Sequence, residues 1–235
     1  MTRARDVTIQ NSIIAEGLNN SFHPKGAHGY GSLIRGELTA EDQANNVGGY
    51  TLYGNVWAHN RARNPSIGGQ QSLDDGQAES DRRRTDLNLA NNVVYAWGDQ
   101  AVHRSEVGDV RVNLLGNVFI CGSAKKAKYF LREKTPGRSE VVAIGNWRDL
   151  DQDDEHDGAV PSDDAELSKG FDGFGEGDRL ITQGEPLAFG FQVAKATQPA
   201  EKVYEAVLAG VGASLWRGAI DARIVDSVRS RSGAL

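Results

Sequence analysis

The 235 residues are enough for one domain with a sizeable core, and no break in composition calls for a second. With 26 basic against 32 acidic residues the net charge is −6, which disfavours nucleic acid and anionic membranes as partners but leaves room for a polyanion met by local basic groups. The lone Cys121 excludes an intrachain disulfide and a cysteine-rich metal site, and no apolar run is long enough to span a bilayer.

Nothing near Met1 has the apolar core of a signal peptide. Thr2 to Asp6 lead straight into Val7-Thr8-Ile9-Gln10-Asn11-Ser12-Ile13-Ile14, an apolar and β-branched run that predicts a strand. Related phrases follow, with Asn between a small residue and an apolar strand: Tyr53-Gly54-Asn55-Val56-Trp57, Ala90-Asn91-Asn92-Val93-Val94-Tyr95, Leu115-Gly116-Asn117-Val118-Phe119-Ile120 and Ile144-Gly145-Asn146-Trp147. From Asn11 the steps are 44, 37, 25 and 29 residues. Periods of this size signal a solenoid whose longer coils carry inserted loops. Asn at a fixed turn has a physical reason, because it tolerates the left-handed backbone and stacked copies can hydrogen-bond along the axis. A β-sandwich with Asn in its turns is the plainer alternative. Trp57 and Trp97, inside strand phrases, are expected in the core.

After Asn146 the character changes. Asp149 to Asp178 is rich in Asp, Glu and Gly and predicts an irregular surface loop; its run from Asp151 to Asp157 lacks the Gly and the spacing of an EF-hand and reads as solvated. Pro199 then opens a helix expected over Ala200 to Leu215, with Val203, Val207, Leu208 and Val211 on one face. A second helix is expected from about Ala219 to Val228, with Ile220, Ile224 and Val228 aligned. The division that follows is 1–148 for coils with inserted loops, 149–198 for the acidic Gly-rich segment, and 199–235 for helices along the solenoid flank or over its C-terminal end.

The strand phrase Val7 to Asn19, the loop His23-Pro24-Lys25-Gly26-Ala27-His28-Gly29-Tyr30-Gly31-Ser32-Leu33-Ile34, the phrases Asn55 to Pro65 and Asn91 to Gly98, and the tail Gly212 to Arg223 together resemble the pectate lyases, more narrowly their bacterial pectate-lyase-like branch. The likeness is close over 7–122 and loose over the last 35 residues. It implies an all-β, right-handed parallel β-helix with short C-terminal helices. It also implies a polysaccharide lyase that cleaves 1,4-linked polygalacturonate by β-elimination: a base removes the C5 proton of a uronate, and the C4 glycosidic oxygen leaves.

In that family an Arg followed at the second position by Pro is the base, which Arg63-Asn64-Pro65 matches. A guanidinium titrates above about 12, so using it as a base near pH 9 costs roughly 5 kcal/mol at about 1.4 kcal/mol per pH unit. Desolvation or neighbouring positive charge, with Lys25 and Arg61 as candidates, would have to supply this. Lys25, after His23, resembles the family's substrate-binding lysine, and the inserted Gly26 to Gly31 makes His28 a competitor for the uronate carboxylate. Arg61 and His59 are further candidates for substrate contact. The family's second arginine, five residues after the base, is absent, because position 68 is Gly.

In the relatives, carboxylates from coils that precede the Val-Thr-Ile strand hold calcium. Here only Asp6 precedes it, and Glu16 on the adjoining coil offers a single ligand. The resemblance therefore implies a chain lacking N-terminal coils, with homodimerisation through the open end as an expectation. A secreted or periplasmic enzyme is expected. The competing reading is a non-catalytic carbohydrate-binding or structural β-helix that has lost the calcium-binding coils.

Overall fold

The computed structural model describes residues 3–122, 129–151, 155, 157–161, 166, 168–189 and 197–233. Among these residues, sixteen short strands wind through successive coils. The first coil holds β1 (Val7–Gln10), β2 (Ile13–Ala15) and β3 (Leu33–Arg35); the second holds β4 (Tyr50–Tyr53), β5 (Val56–Ala58) and β6 (Ser66–Gly68). The third holds β7 (Arg84–Ala90), β8 (Val93–Tyr95) and β9 (Val102–Arg104), and the fourth β10 (Asp109–Leu115), β11 (Val118–Ile120) and β12 (Phe130–Arg132). The fifth holds β13 (Ser139–Ile144), β14 (Trp147–Asp149) and β15 (Phe171–Asp172), and β16 (Arg179–Ile181) begins a sixth. Each strand pairs in parallel with its counterpart one coil on, giving sheets β1-β4-β7-β10-β13-β16, β2-β5-β8-β11-β14 and β3-β6-β9-β12-β15. This is a right-handed parallel β-helix.

Alternation within the strands sets the core. In the first sheet the rungs Val7, Tyr50, Leu87, Val112, Val141 and Ile9, Leu52, Leu89, Leu114, Ala143 point inward in register, meeting Trp57, Val94 and Phe119 from the second sheet and Ile34, Ile67, Val102 and Phe130 from the third. Trp57 and Trp97 are buried as expected. The last coils are filled by Tyr129, Phe130, Phe171 and Phe174 in tilted and edge contacts.

The turn between first and second sheets carries the repeat. Asn55 N–H donates to Asn92 Oδ1, Asn92 N–H to Asn117 Oδ1 and Asn117 N–H to Asn146 Oδ1, at 2.9, 3.0 and 3.0 Å. Each Nδ2 also donates to a carbonyl of the preceding coil, from Ile9 through Leu114. The stacked ladder is as expected, but the left-handed backbone is not on the ladder residue. It falls on the residue before, at Asn11, Gly54, Asn91, Gly116 and Gly145 with φ between 51 and 64°. In the first coil the ladder position is Ser12, whose N–H donates to Asn55 Oδ1, so the first step is 43 residues rather than 44.

The solenoid runs past residue 148, since β15 and β16 lie inside the segment expected to be irregular. Of the acidic run, Asp151, Glu155 and Asp157 are described and exposed, while 152–154 and 156 lie outside the described residues. A short helix α1 (Ala40–Ala44) sits in the first coil's second loop, capped by Thr39 and Asp42. The C-terminal helices, α2 (Ala200–Gly210) and α3 (Ala219–Arg229), lie along the flank. The first is shorter than expected because Val211 is already extended and Gly212 turns through φ +65°. Val203, Val207, Leu208 and Val211 cover the outer face of the second sheet at Val56, Val93, Val118 and Trp147. In α3 the buried residues are Ile224, Val225 and Val228; Ile220 is exposed. Among the described residues, no helix is long and apolar enough to cross a membrane.

Candidate functional site

The turns from second to third sheet bring three coils together. Tyr30, Ala62 and Gln100 form a parallel row of bridges, and Arg61 N–H donates to Gly29 O, Gly31 N–H to Ala62 O and Asn64 N–H to Ala101 O at 2.9, 3.0 and 2.7 Å. Arg63 sits in the middle of this row. Its backbone is left-handed at φ +64°, its carbonyl accepts from Ser32 N–H at 2.8 Å, and Asn64 Oδ1 accepts from Asn60 Nδ2 at 3.1 Å. The guanidinium stands over the Tyr30 ring, 4.1 Å from its centroid, and makes no ion pair among the described residues.

Behind Tyr30 the loop over 17–31 builds a column. The His28 ring lies 4.2 Å from Tyr30, tilted at 59°, and His23 stacks on His28 at 4.0 Å and 3°. Lys25 is exposed, and its backbone N–H donates to His23 Nδ1 at 3.2 Å. Desolvation holds the His28 imidazole below the ordinary histidine value, helped by positive charge from His23, Arg63 and Lys25. The structure thus gathers the basic side chains of Arg63 and Lys25 with the imidazoles of His28 and His23, positive charge and hydrogen-bond donors suited to a carboxylate-rich ligand.

The other expected residues lie differently. Arg61 borders the cluster but is engaged by Asp99 at 3.0 Å, which raises its guanidinium above the ordinary value through that hydrogen bond and the charge behind it. His59, expected at the substrate, is a correction: it is 5% exposed and faces α3, with Nε2 2.8 Å from Ser227 Oγ and its ring edge-on to Tyr95. Its backbone is left-handed at φ +55°, as is that of Arg63, but its ring lies on the flank while Arg63 faces the loop. Glu16 is a second correction, because Arg223 of α3 grips both of its oxygens. The donors gathered around Arg63 are cations and rings, with Glu16 and Asp99 each facing an arginine, so they do not fit a calcium ion that takes six to eight oxygens. At the far end of the solenoid Asp149, Asp151 and Asp157 approach one another, but Asp149 is bound to Arg231 at 2.7 Å.

Position 68 has its own explanation. Gly68 pairs in register with Arg35, which holds Glu106 through contacts of 2.8 and 2.5 Å, and a Cβ on Gly68 would lie 2.3 Å from Glu106 Oε2. Next to it His103 Nδ1 lies 3.1 Å from Ser66 Oγ and Nε2 2.9 Å from Glu133 Oε1. Ser66 is fully buried, so this row is not a nucleophilic triad. The sequence reading passed over Tyr30 and Asp99. The signal for Tyr30 was its place between two glycines in the inserted loop; Asp99 carried none.

No protein-family model matches the chain. Curated proteins do. It is 28% identical over 227 residues to a probable pectate lyase C of Emericella nidulans, covering 97% of this chain and 42% of that protein. It is 28% identical over 229 residues to one of Neosartorya fischeri, covering 97% and 44%. With one of Aspergillus flavus it shares 26% over 234 residues, covering 98% and 45%. The chain thus spans less than half the length of these curated relatives.

Proposed function

The chain is a relative of the pectate lyases, and from that premise we propose that it cleaves a 1,4-linked uronan, polygalacturonate in the first instance, with Arg63 as the base. The observation that carries this is Arg63 itself: held by backbone bonds on both sides, free of a carboxylate partner among the described residues, and grouped with Lys25, His28 and His23. A carboxylate drawn to Lys25 and to the imidazole N–H groups would bring its C5 proton to the guanidine. As Arg63 takes that proton, the C5 electron pair forms the C4–C5 double bond and the C4–O bond breaks with its electrons on the leaving oxygen. Lys25, and Arg63 as it becomes a guanidinium, offset charge that builds on the C5 carboxylate during this step. Such a polymer lies outside the cell, and the protein would work there.

The test is absorbance of unsaturated uronides from polygalacturonate, with added calcium and with a chelator. Arg63→Ala is expected to lower kcat by about 10²- to 10⁴-fold, as loss of a general base does. Its Tm should stay within about 2 °C, since the side chain contacts one ring face. Activity should rise toward alkaline pH, because a guanidinium gives up its proton only there. Retained activity in Arg63→Ala, or an optimum near pH 5, overturns the assignment. The poor fit to calcium favours a second reading, a carbohydrate-binding module, which predicts polygalacturonate binding without any unsaturated product at any calcium level.

A further inference from the structure

We propose that Tyr30 is a positioning residue for Arg63, its ring fixing the direction of a guanidinium that no carboxylate among the described residues holds. The proposal rests on the reading of Arg63 as the base. Other arginines of the solenoid are fixed by oxygens: Arg35 by Glu106, Arg61 by Asp99, Arg83 by Glu37, and Arg104 by the carbonyls of Glu106 and Gly108. Arg63 has instead an aromatic face at 4.1 Å. The difference matters chemically. A carboxylate partner consumes the in-plane N–H groups and strongly favours the charged form, whereas a ring face favours that form only weakly, fixes orientation and leaves the in-plane nitrogens open to substrate.

The place of Tyr30 is built rather than incidental. Gly29 and Gly31 flank it, and neither admits a side chain: a Cβ at Gly29 would lie 2.3 Å from Gly17 O and 2.5 Å from Asn19 Cα, and one at Gly31 2.5 Å from Asn64 Oδ1 and 2.8 Å from Arg63 O. The two glycines let the loop backbone press onto the coil that bears Arg63, where Tyr30 bridges Ala62. The ring is braced from the other side by His28, itself stacked on His23. The phenol oxygen makes no hydrogen bond to a described residue, so the ring rather than the hydroxyl is the working part.

That distinction sets the experiment. Tyr30→Phe keeps the ring, while Tyr30→Leu and Tyr30→Met remove it at similar volume, the second guarding against misfolding of the first. Each full-length variant is assayed for kcat and KM on polygalacturonate, and the Arg63 side-chain resonances are followed by NMR with selectively labelled arginine. The phenylalanine variant is expected to keep kcat within about twofold. The two aliphatic variants should lose about tenfold or more in kcat with KM nearly unchanged, as misplacement of a reacting group does. The Arg63 Nε–H and Cδ–H signals should be ring-shifted in the parent and in Tyr30→Phe, and lose that shift in both aliphatic variants. Unchanged kcat and unmoved resonances in Leu and Met overturn the proposal, as does a phenylalanine variant as impaired as they are, which would put the hydroxyl in the chemistry. Should the parent show no lyase activity, the reading of Arg63 as base fails, and the resonances alone decide whether Tyr30 orients it.

Discussion

Burial works on the imidazoles in one direction. His28, His59 and His103 are each held below the usual histidine value of 6.5, chiefly by desolvation; Glu16 acts against this at His59 and Glu133 at His103. The sign of the consequence is fixed by linkage. An unfolded chain takes up these protons as pH falls below about 6.5, before the folded one does, so the stability they contribute is complete above that value and lost as pH falls through the folded values. Asp42, held near 2 first by the Arg5 guanidinium, does not titrate in this window, while Asp86 and Asp149, raised by desolvation, oppose the trend at its acidic end. Tm should therefore fall between about pH 7.5 and pH 5, and His59→Gln should flatten part of that fall by removing one group that must charge; an unchanged slope would mean that His59 protonates in place. The residue scale is also where legibility was uneven. Arg63, Lys25, His23 and His28 lie on one side of the coils, whereas His59 and Glu16 face the helices on the flank, through Ser227 and Arg223. A sequence lists neighbours without saying which side of the coil each one faces.

Among the elements, the asparagine ladder was legible because the same bond recurs, and a recurring bond needs a recurring residue. The third-sheet strands Leu33–Arg35, Ser66–Gly68 and Val102–Arg104 share no phrase, since the turns before them differ in length and each solves its own packing. Asn117 shows what a rung is worth. Its Oδ1 accepts from the N–H and Nδ2 of Asn92, and its Nδ2 donates to Leu89 O, all without solvent. Asn117→Ala would leave buried donors and an acceptor unpaired and should cost about 2–4 kcal/mol by denaturant titration. At the first rung, where Ser12 stands, Ser12→Asn would add an Nδ2 donor beside Asn55 Oδ1 and is expected to raise stability by about 0.5–1 kcal/mol.

On the scale of the whole molecule, the helical pair changes the logic of a solenoid. Stacked coils ordinarily touch only their neighbours. Here Gly212 N–H reaches Asn11 O and Arg223 reaches Glu16 on the first coil, Ser227 reaches His59 on the second, Tyr95 OH on the third donates to Ser232 O, and Arg231 reaches Asp149 on the fifth. The two end ties differ in burial: Arg223 is 56% exposed, Arg231 8% and Asp149 2%. Arg223→Ala should cost less than about 1 kcal/mol, and Arg231→Ala, which strands a buried carboxylate, about 3–5 kcal/mol. Equal effects, read from paired denaturant curves, would mean that the burial difference carries no weight. The pairing of helices with the flank was only half visible in the sequence, because helical spacing reveals an apolar stripe but not which of three sheets it meets.

The same helical pair imposes an order on biosynthesis. Every coil it covers leaves the ribosome before it does, so while the chain is being made the second sheet presents Val56, Val93, Val118 and Trp147 to water with nothing yet available to shield them. Five coils can stack as they emerge, each templating the next, yet the first and fifth stay untied until residues 199–233 arrive. A nascent chain arrested before Pro199 should hold its coils and bind a chaperone or an apolar dye, and release both once α3 has emerged.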